Sequence, residues 1–109
     1  MAYDEAVAAR IRRFLGAAPG LAEKKMFGGL AMLLDGNMAC GVHGDELIVR
    51  TDPSRQTAYL VEPGAHVFDM SGRPMAGWIL VGPVGFAADD DLARWLSRGV
   101  DYARGLPPK

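Results

Sequence analysis

Lys25–Arg50, KMFGGLAMLLDGNMACGVHGDELIVR, decides the fold. It reads as three strands joined by two tight turns. The first strand is expected at Met26–Leu34, the second at Met38–Val42 and the third at Glu46–Arg50. Asp35-Gly36-Asn37 joins the first two, because these residue types tolerate the positive φ that a hairpin loop demands. His43-Gly44-Asp45 makes the second turn. On the second strand Met38, Cys40 and Val42 alternate to one face, and on the third Leu47 and Val49 share a face.

Helical periods flank this meander. Residues 4–17 read as an amphipathic helix, with Tyr3, Val7, Ile11 and Phe14 with Leu15 recurring every three or four positions. Asp4 and Glu5 suit the positive end of its dipole, and Arg10, Arg12 and Arg13 the negative end. Pro19-Gly20 stops it. Beyond the meander, Asp52-Pro53 reads as a helix start, Asp52 as cap and Pro53 at the first turn. A short helix is expected to about Leu60. Ala65–Asp69 and Met75–Val81 read as further strands, separated by Ser71-Gly72-Arg73-Pro74. A last helix runs from near Asp89 to about Gly105, with Leu92, Trp95, Leu96, Val100 and Ala103 on one side. The expectation is one α+β domain over residues 1–109. It is two-layered, with a five-stranded antiparallel sheet and the order α-β-β-β-α-β-β-α.

Composition narrows the function classes. Half of the 109 residues are hydrophobic and 23% are charged, as in an ordinary globular protein. The longest unbroken apolar run, Leu30–Leu34, falls far short of the ~20 residues a spanning helix needs. The N-terminus does not read as a secretory signal. Cys40 is the only cysteine, so no intrachain disulfide forms and a reducing, cytoplasmic setting is expected. The formal charge of −1 gives no general pull toward nucleic acid or anionic membrane.

Several segments are similar to a known family. Lys24-Lys25-Met26-Phe27-Gly28-Gly29, the turn at Asp35-Gly36-Asn37-Met38, and Glu46-Leu47-Ile48-Val49-Arg50 resemble the N-terminal domain of the TfoX/Sxy competence regulators. Met75-Ala76-Gly77-Trp78-Ile79-Leu80-Val81 and the final helix with Leu92, Trp95 and Leu96 continue the likeness, over roughly residues 4–105. The resemblance implies a fold similar to secretion-chaperone-like domains. It also implies a part in regulating DNA uptake, where the founding members assist a transcription activator. It brings no catalytic residue with it.

The chemistry-bearing residues point to no reaction. Cys40 and His43 are three apart on a strand and so face opposite ways. His43, His66 and Asp69 fall at no recognised metal spacing. Asp89-Asp90-Asp91 suits a helix start better than a cation loop. Gly28-Gly29 precedes a strand, where a phosphate loop would precede a helix, so a bulge or a close backbone approach is expected there. No catalytic residue, metal or cofactor is expected. Arg10, Arg13, Lys24 and Lys25 form the one basic concentration, without aromatic residues interleaved for base stacking. They are the candidate patch for a weak nucleic-acid contact.

Met26–Leu34 and Met75–Val81 are apolar at both parities, which expects burial on both faces of the sheet. Three helices, one of them short, cover one face. The second is therefore expected to meet a partner, and an identical subunit is the expected one. Met26, Phe27, Gly28, Gly29 and Trp78 are the candidate interaction surface. The reading is a non-enzymatic regulatory or protein-interaction module. A weak nucleic-acid-associated regulator, or a small ligand-binding protein or enzyme with a pocket beside Gly28-Gly29 and Cys40, are the alternatives.

Overall fold

A computed structural model describes residues 3–26, 28–69 and 74–108. Asp4 starts helix α1 (Glu5–Leu15), its Oδ1 accepting from the backbone N–H of Ala6 at 2.8 Å and Val7 at 3.4 Å. Val7, Ala8, Ile11 and Leu15 form the buried stripe. Phe14, expected within it, lies at the margin and is 41% exposed. The helix ends at Gly16, before Pro19-Gly20, where the Gly16 N–H donates to the Arg12 carbonyl.

The strands are β1 (Leu21–Met26), β2 (Gly29–Leu34), β3 (Asn37–His43), β4 (Glu46–Arg50), β5 (Ala65–Asp69) and β6 (Pro74–Val81). They form one antiparallel sheet in the order β1-β2-β3-β4-β6-β5. The expected five strands are thus six. The single strand expected at Met26–Leu34 divides around Gly28, at φ 72°, and a charged edge strand precedes the division. The Asp35-Gly36 turn is as expected, with both residues at positive φ.

A bulge changes the expected face of Met38. Met32 pairs with Cys40 and Leu33 with Met38, so Ala39 is the extra residue. Met38 therefore points away from Cys40 and Val42. A second irregularity sits in β6 at Gly77, at φ 84°. Thr51 holds it, its N–H (2.6 Å) and Oγ1 (3.0 Å) both donating to the Gly77 carbonyl. The Gln56 side chain accepts from the Gly77 N–H at 3.1 Å.

The helix expected from Pro53 is a 3-10 turn (Pro53–Arg55) running into α2 (Gln56–Leu60), with Asp52 as cap. A second 3-10 turn (Pro83–Gly85) precedes α3 (Asp89–Arg104). The cap of α3 is Ala88, without a side-chain hydrogen bond, so Asp89–Asp91 act through the helix dipole and through ion pairs. Asp89 meets Arg10 at 3.1 Å and Asp91 meets Arg94 at 2.7 Å.

All three helices lie on one face of the sheet. Val7, Ile11, Met32, Cys40, Val42, Leu47, Val49, Ile79, Val81, Trp95 and Leu96 fill the space between the layers. Burying side chains of this size contributes about 1.5–3 kcal/mol each. Ala31, Met38, Ile48 and Phe68 form a second cluster on the other face, bordered by Met26, Leu33, Trp78 and Leu80. The total accessible surface is 5764 Å². A folded monomer of 11.7 kDa is expected to expose about 5,900 Å². The described helices leave the second face open, yet Ile48 at its centre is only 2% exposed. Much of this apolar surface is therefore hidden within the chain itself.

Candidate functional site

The second sheet face is the first candidate, and cross-strand register shows what it carries. Directly opposed residues of antiparallel strands share a face. Met26 opposes Gly29, Lys24 opposes Ala31, Ala31 opposes Gly41, and Gly41 opposes Ile48. Ile48 opposes Leu80, and Arg50 opposes Trp78. Met26, Gly29 and Trp78 are thus brought to one face, Met26 at the β1 edge and Trp78 four strands away on β6. Gly28 lies in the β1–β2 turn and is exposed. Phe27 lies outside the described residues.

Two glycines let this face pack closely. A Cβ on Gly29 would meet the Val42 carbonyl, and one on Gly41 would meet the Leu30 carbonyl and the Met38 side chain. Phe68 and Trp78 meet edge to face, their centroids 6.2 Å apart. The far end of the face is polar. His43 opposes Glu46 there, and Glu46 Oε2 lies 2.7 Å from His66 Nε2.

The basic candidates do not share one direction. Arg10 donates to the Ala87 carbonyl and to Asp89, and lies over the Phe86 ring. Arg13 lies with Phe14 beside the start of α3. Lys24 projects from the second sheet face. Lys25 opposes Leu30 and projects from the helix face. Arg12 is held by Glu23 through two hydrogen bonds of 2.7 and 3.0 Å, which keep the Glu23 carboxyl below its ordinary range.

Cys40 is sealed in the interlayer core, where burial pushes its thiol up to about 12. His43 is on the opposite side of the strand, so the two cannot act as nucleophile and base. A thiol reagent at pH 8 is expected to leave the native protein unmodified and to label one cysteine per chain in denaturant. Rapid labelling of the native protein would place Cys40 near the surface. Among the described residues, no three of His, Cys, Asp or Glu gather as a metal-holding group.

A cleft of about 540 Å³ opens on the helix side, lined by Thr51, Asp52, Arg55, Tyr59 and the α3 residues Arg98, Asp101 and Tyr102, with Gly105 and Leu106 at its end. Its walls are fixed by stacked arginines. The Arg98 guanidinium carbon is 4.0 Å from the Tyr59 ring centre and 4.6 Å from that of Trp95. Arg98 Nη2 also meets Glu62 Oε2 at 2.7 Å. Burial opposes the charge of Glu62, but Arg98 and then Arg94 outweigh it, and the net direction of its carboxyl is down. Arg50 lies 5.2 Å from the Trp78 ring and 5.4 Å from the Tyr102 ring, linking the sheet to α3. Sequence reasoning missed this cleft. One available signal was Arg98, three residues after Trp95 and four before Tyr102, which sets a guanidinium between two aromatic side chains on α3.

Residues 13–103 match the family model of the TfoX N-terminal domain. The chain belongs to that family. The match takes in the six described strands, the cluster on the second sheet face and most of the cleft lining, and leaves out the first turns of α1 with Val7, Ala8 and Ile11, and the tail after Ala103 with Gly105 and Leu106. No curated protein matches the chain. No helix among the described residues of this TfoX N-terminal domain is long and apolar enough to cross a membrane.

Proposed function

We propose that this TfoX N-terminal domain is a non-enzymatic, cytoplasmic regulatory module that works by protein contact, in the manner of a competence regulator. Its contact surface is the sheet face turned away from the helices. One observation carries the reading. Met26, Leu33, Trp78 and Leu80 stay partly exposed around the buried Ala31, Met38, Ile48 and Phe68, and no described helix lies over them. Interface cores favour aromatic residues and methionine in this way. The partner proposed is a second copy related by a two-fold axis, which places the same patch on both sides of the contact.

Sedimentation velocity from low to high micromolar concentration tests this. The boundary is expected to move toward a dimer as concentration rises, and Leu80→Glu is expected to return it to monomer. A monomer at every concentration removes self-association. The nucleic-acid reading has less support, since Arg10 is engaged by Asp89 and Lys24 and Lys25 diverge.

A further inference from the structure

We propose that the cleft between the Thr51–Arg55 segment, α2 and the C-terminal half of α3 binds a small zwitterion. The ligand would be of amino-acid or dipeptide size, with one carboxylate and one ammonium group. At about 540 Å³ the cleft falls within the range of small-ligand sites. Its two tyrosine walls are held before any ligand arrives. Tyr59 is stacked by Arg98 and meets the Trp95 ring at 6.0 Å and 72°, and Tyr102 is stacked by Arg50. Side chains already fixed lose little freedom on binding.

The charges select the ligand class. Two of the four charged residues lining the cleft are engaged. Asp52 Oδ1 accepts from the Ser54 N–H and Oγ at 2.9 and 2.8 Å, and Arg98 is held by Glu62 through Nη2 and by two rings, its Nη1 buried without a partner among the described residues. Arg55 and Asp101 remain, Arg55 near enough to Asp52 to favour its charged form without an ion-pair contact. Neither has an ion-pair partner among the described residues, and they do not pair with each other. They come from different elements of the lining, Arg55 from the 3-10 turn and Asp101 from α3. A purely anionic ligand that reached Arg55 would also face Asp52 and Asp101. A purely cationic one that reached Asp101 would face Arg55 and Arg98. A ligand carrying both charges satisfies both residues, its carboxylate taking the guanidinium's paired donors and its ammonium meeting the carboxylate.

The test uses the full chain, labelled with ¹⁵N, and three probes. Glycylglycine carries both charges, N-acetylglycine only the carboxylate, and glycinamide only the ammonium group. Glycylglycine is expected to shift the amides of residues 51–59 and 98–106, with an affinity at least tenfold tighter than either half-probe. Arg55→Ala and Asp101→Asn are each expected to reduce that affinity at least tenfold. Both residues are exposed, so the variants are expected to keep the wild-type amide spectrum elsewhere. The proposal is overturned if glycylglycine shifts no cleft amides, if a half-probe binds as tightly, or if both variants bind like the wild type.

Discussion

Gly99→Val is expected to lower stability by more than about 3 kcal/mol, although it removes a glycine from the middle of a helix. In an exposed helix interior, glycine is about 1 kcal/mol worse than alanine, so replacing it there stabilises. At Gly99 the sign reverses because α3 rests directly on the sheet. A Cβ at this position would run into the carbonyl of Ala39, with the Ala39 carbonyl carbon at 3.1 Å and Val49 Cγ1 at 3.5 Å. The obstacle is backbone. Ala39 is the bulged residue of β3 and is fully buried, so it cannot turn aside as a flexible side chain would.

Overpacking a core costs about 1–3 kcal/mol and at times more. Gly99→Ala combines that cost with the propensity gain and is expected to lose about 1–2 kcal/mol. Gly99→Val adds two further carbons and a β-branch. Gly105→Ala serves as the control, because a methyl there would meet only the Tyr102 and Asp101 carbonyls at 3.4 and 3.7 Å. Its effect is expected within about 0.5 kcal/mol. Urea unfolding should show lower midpoints with unchanged slopes for the Gly99 variants. A Gly99→Ala protein more stable than wild type would mean that α3 stands off the sheet.

What the sequence revealed followed the range of the forces involved. Asp35-Gly36 was readable because its positive φ values are a local steric requirement. The faces of Leu47 with Val49, and of Ile79 with Val81, followed from alternation alone. β1 was not readable, because Ala22, Glu23, Lys24 and Lys25 are exposed on an edge strand and carry no apolar alternation. Charges on an edge discourage further strand pairing. The Ala39 bulge was hidden for another reason. Its residue types fit a regular strand, and only the partner β2 shows that Met38 has changed face.

The candidate site divides in the same way. Parity along a single strand Met26–Leu34 sets Met26 and Gly29 on opposite faces, and only the division at Gly28 brings them to the same face as Trp78. The cleft could not be found, since Arg50 meets Tyr102 and Arg98 meets Tyr59 across distant stretches of chain. The second face is apolar in composition, and of its residues Met26, Leu33, Trp78 and Leu80 stay partly exposed while Ala31, Met38, Ile48 and Phe68 are buried.

Trp95→Ala is expected to cost about 3–5 kcal/mol, a large part of the ~5–15 kcal/mol that holds a domain of this kind together. Trp95 is fully buried in the interlayer core and joins three parts of the fold. It meets the edge of Tyr59 on α2, lies under Arg98 one turn along α3, and packs against the sheet. Truncation would leave a cavity bounded by elements that cannot all close at once, and Arg98 would keep only Tyr59 and Glu62. The indole N–H adds a second, separable effect. Trp95 Nε1 is buried without an acceptor among the described residues, and an unpaired buried donor costs about 1–3 kcal/mol. Trp95→Phe removes that donor and keeps most of the packing, so it is expected to cost less than half as much as Trp95→Ala. Thermal unfolding distinguishes the two, with a fall of at least about 12 °C for the alanine variant and a much smaller one for phenylalanine. Equal losses would mean that the indole nitrogen is satisfied. A negligible loss for alanine would mean that α3 presents a different side to the sheet.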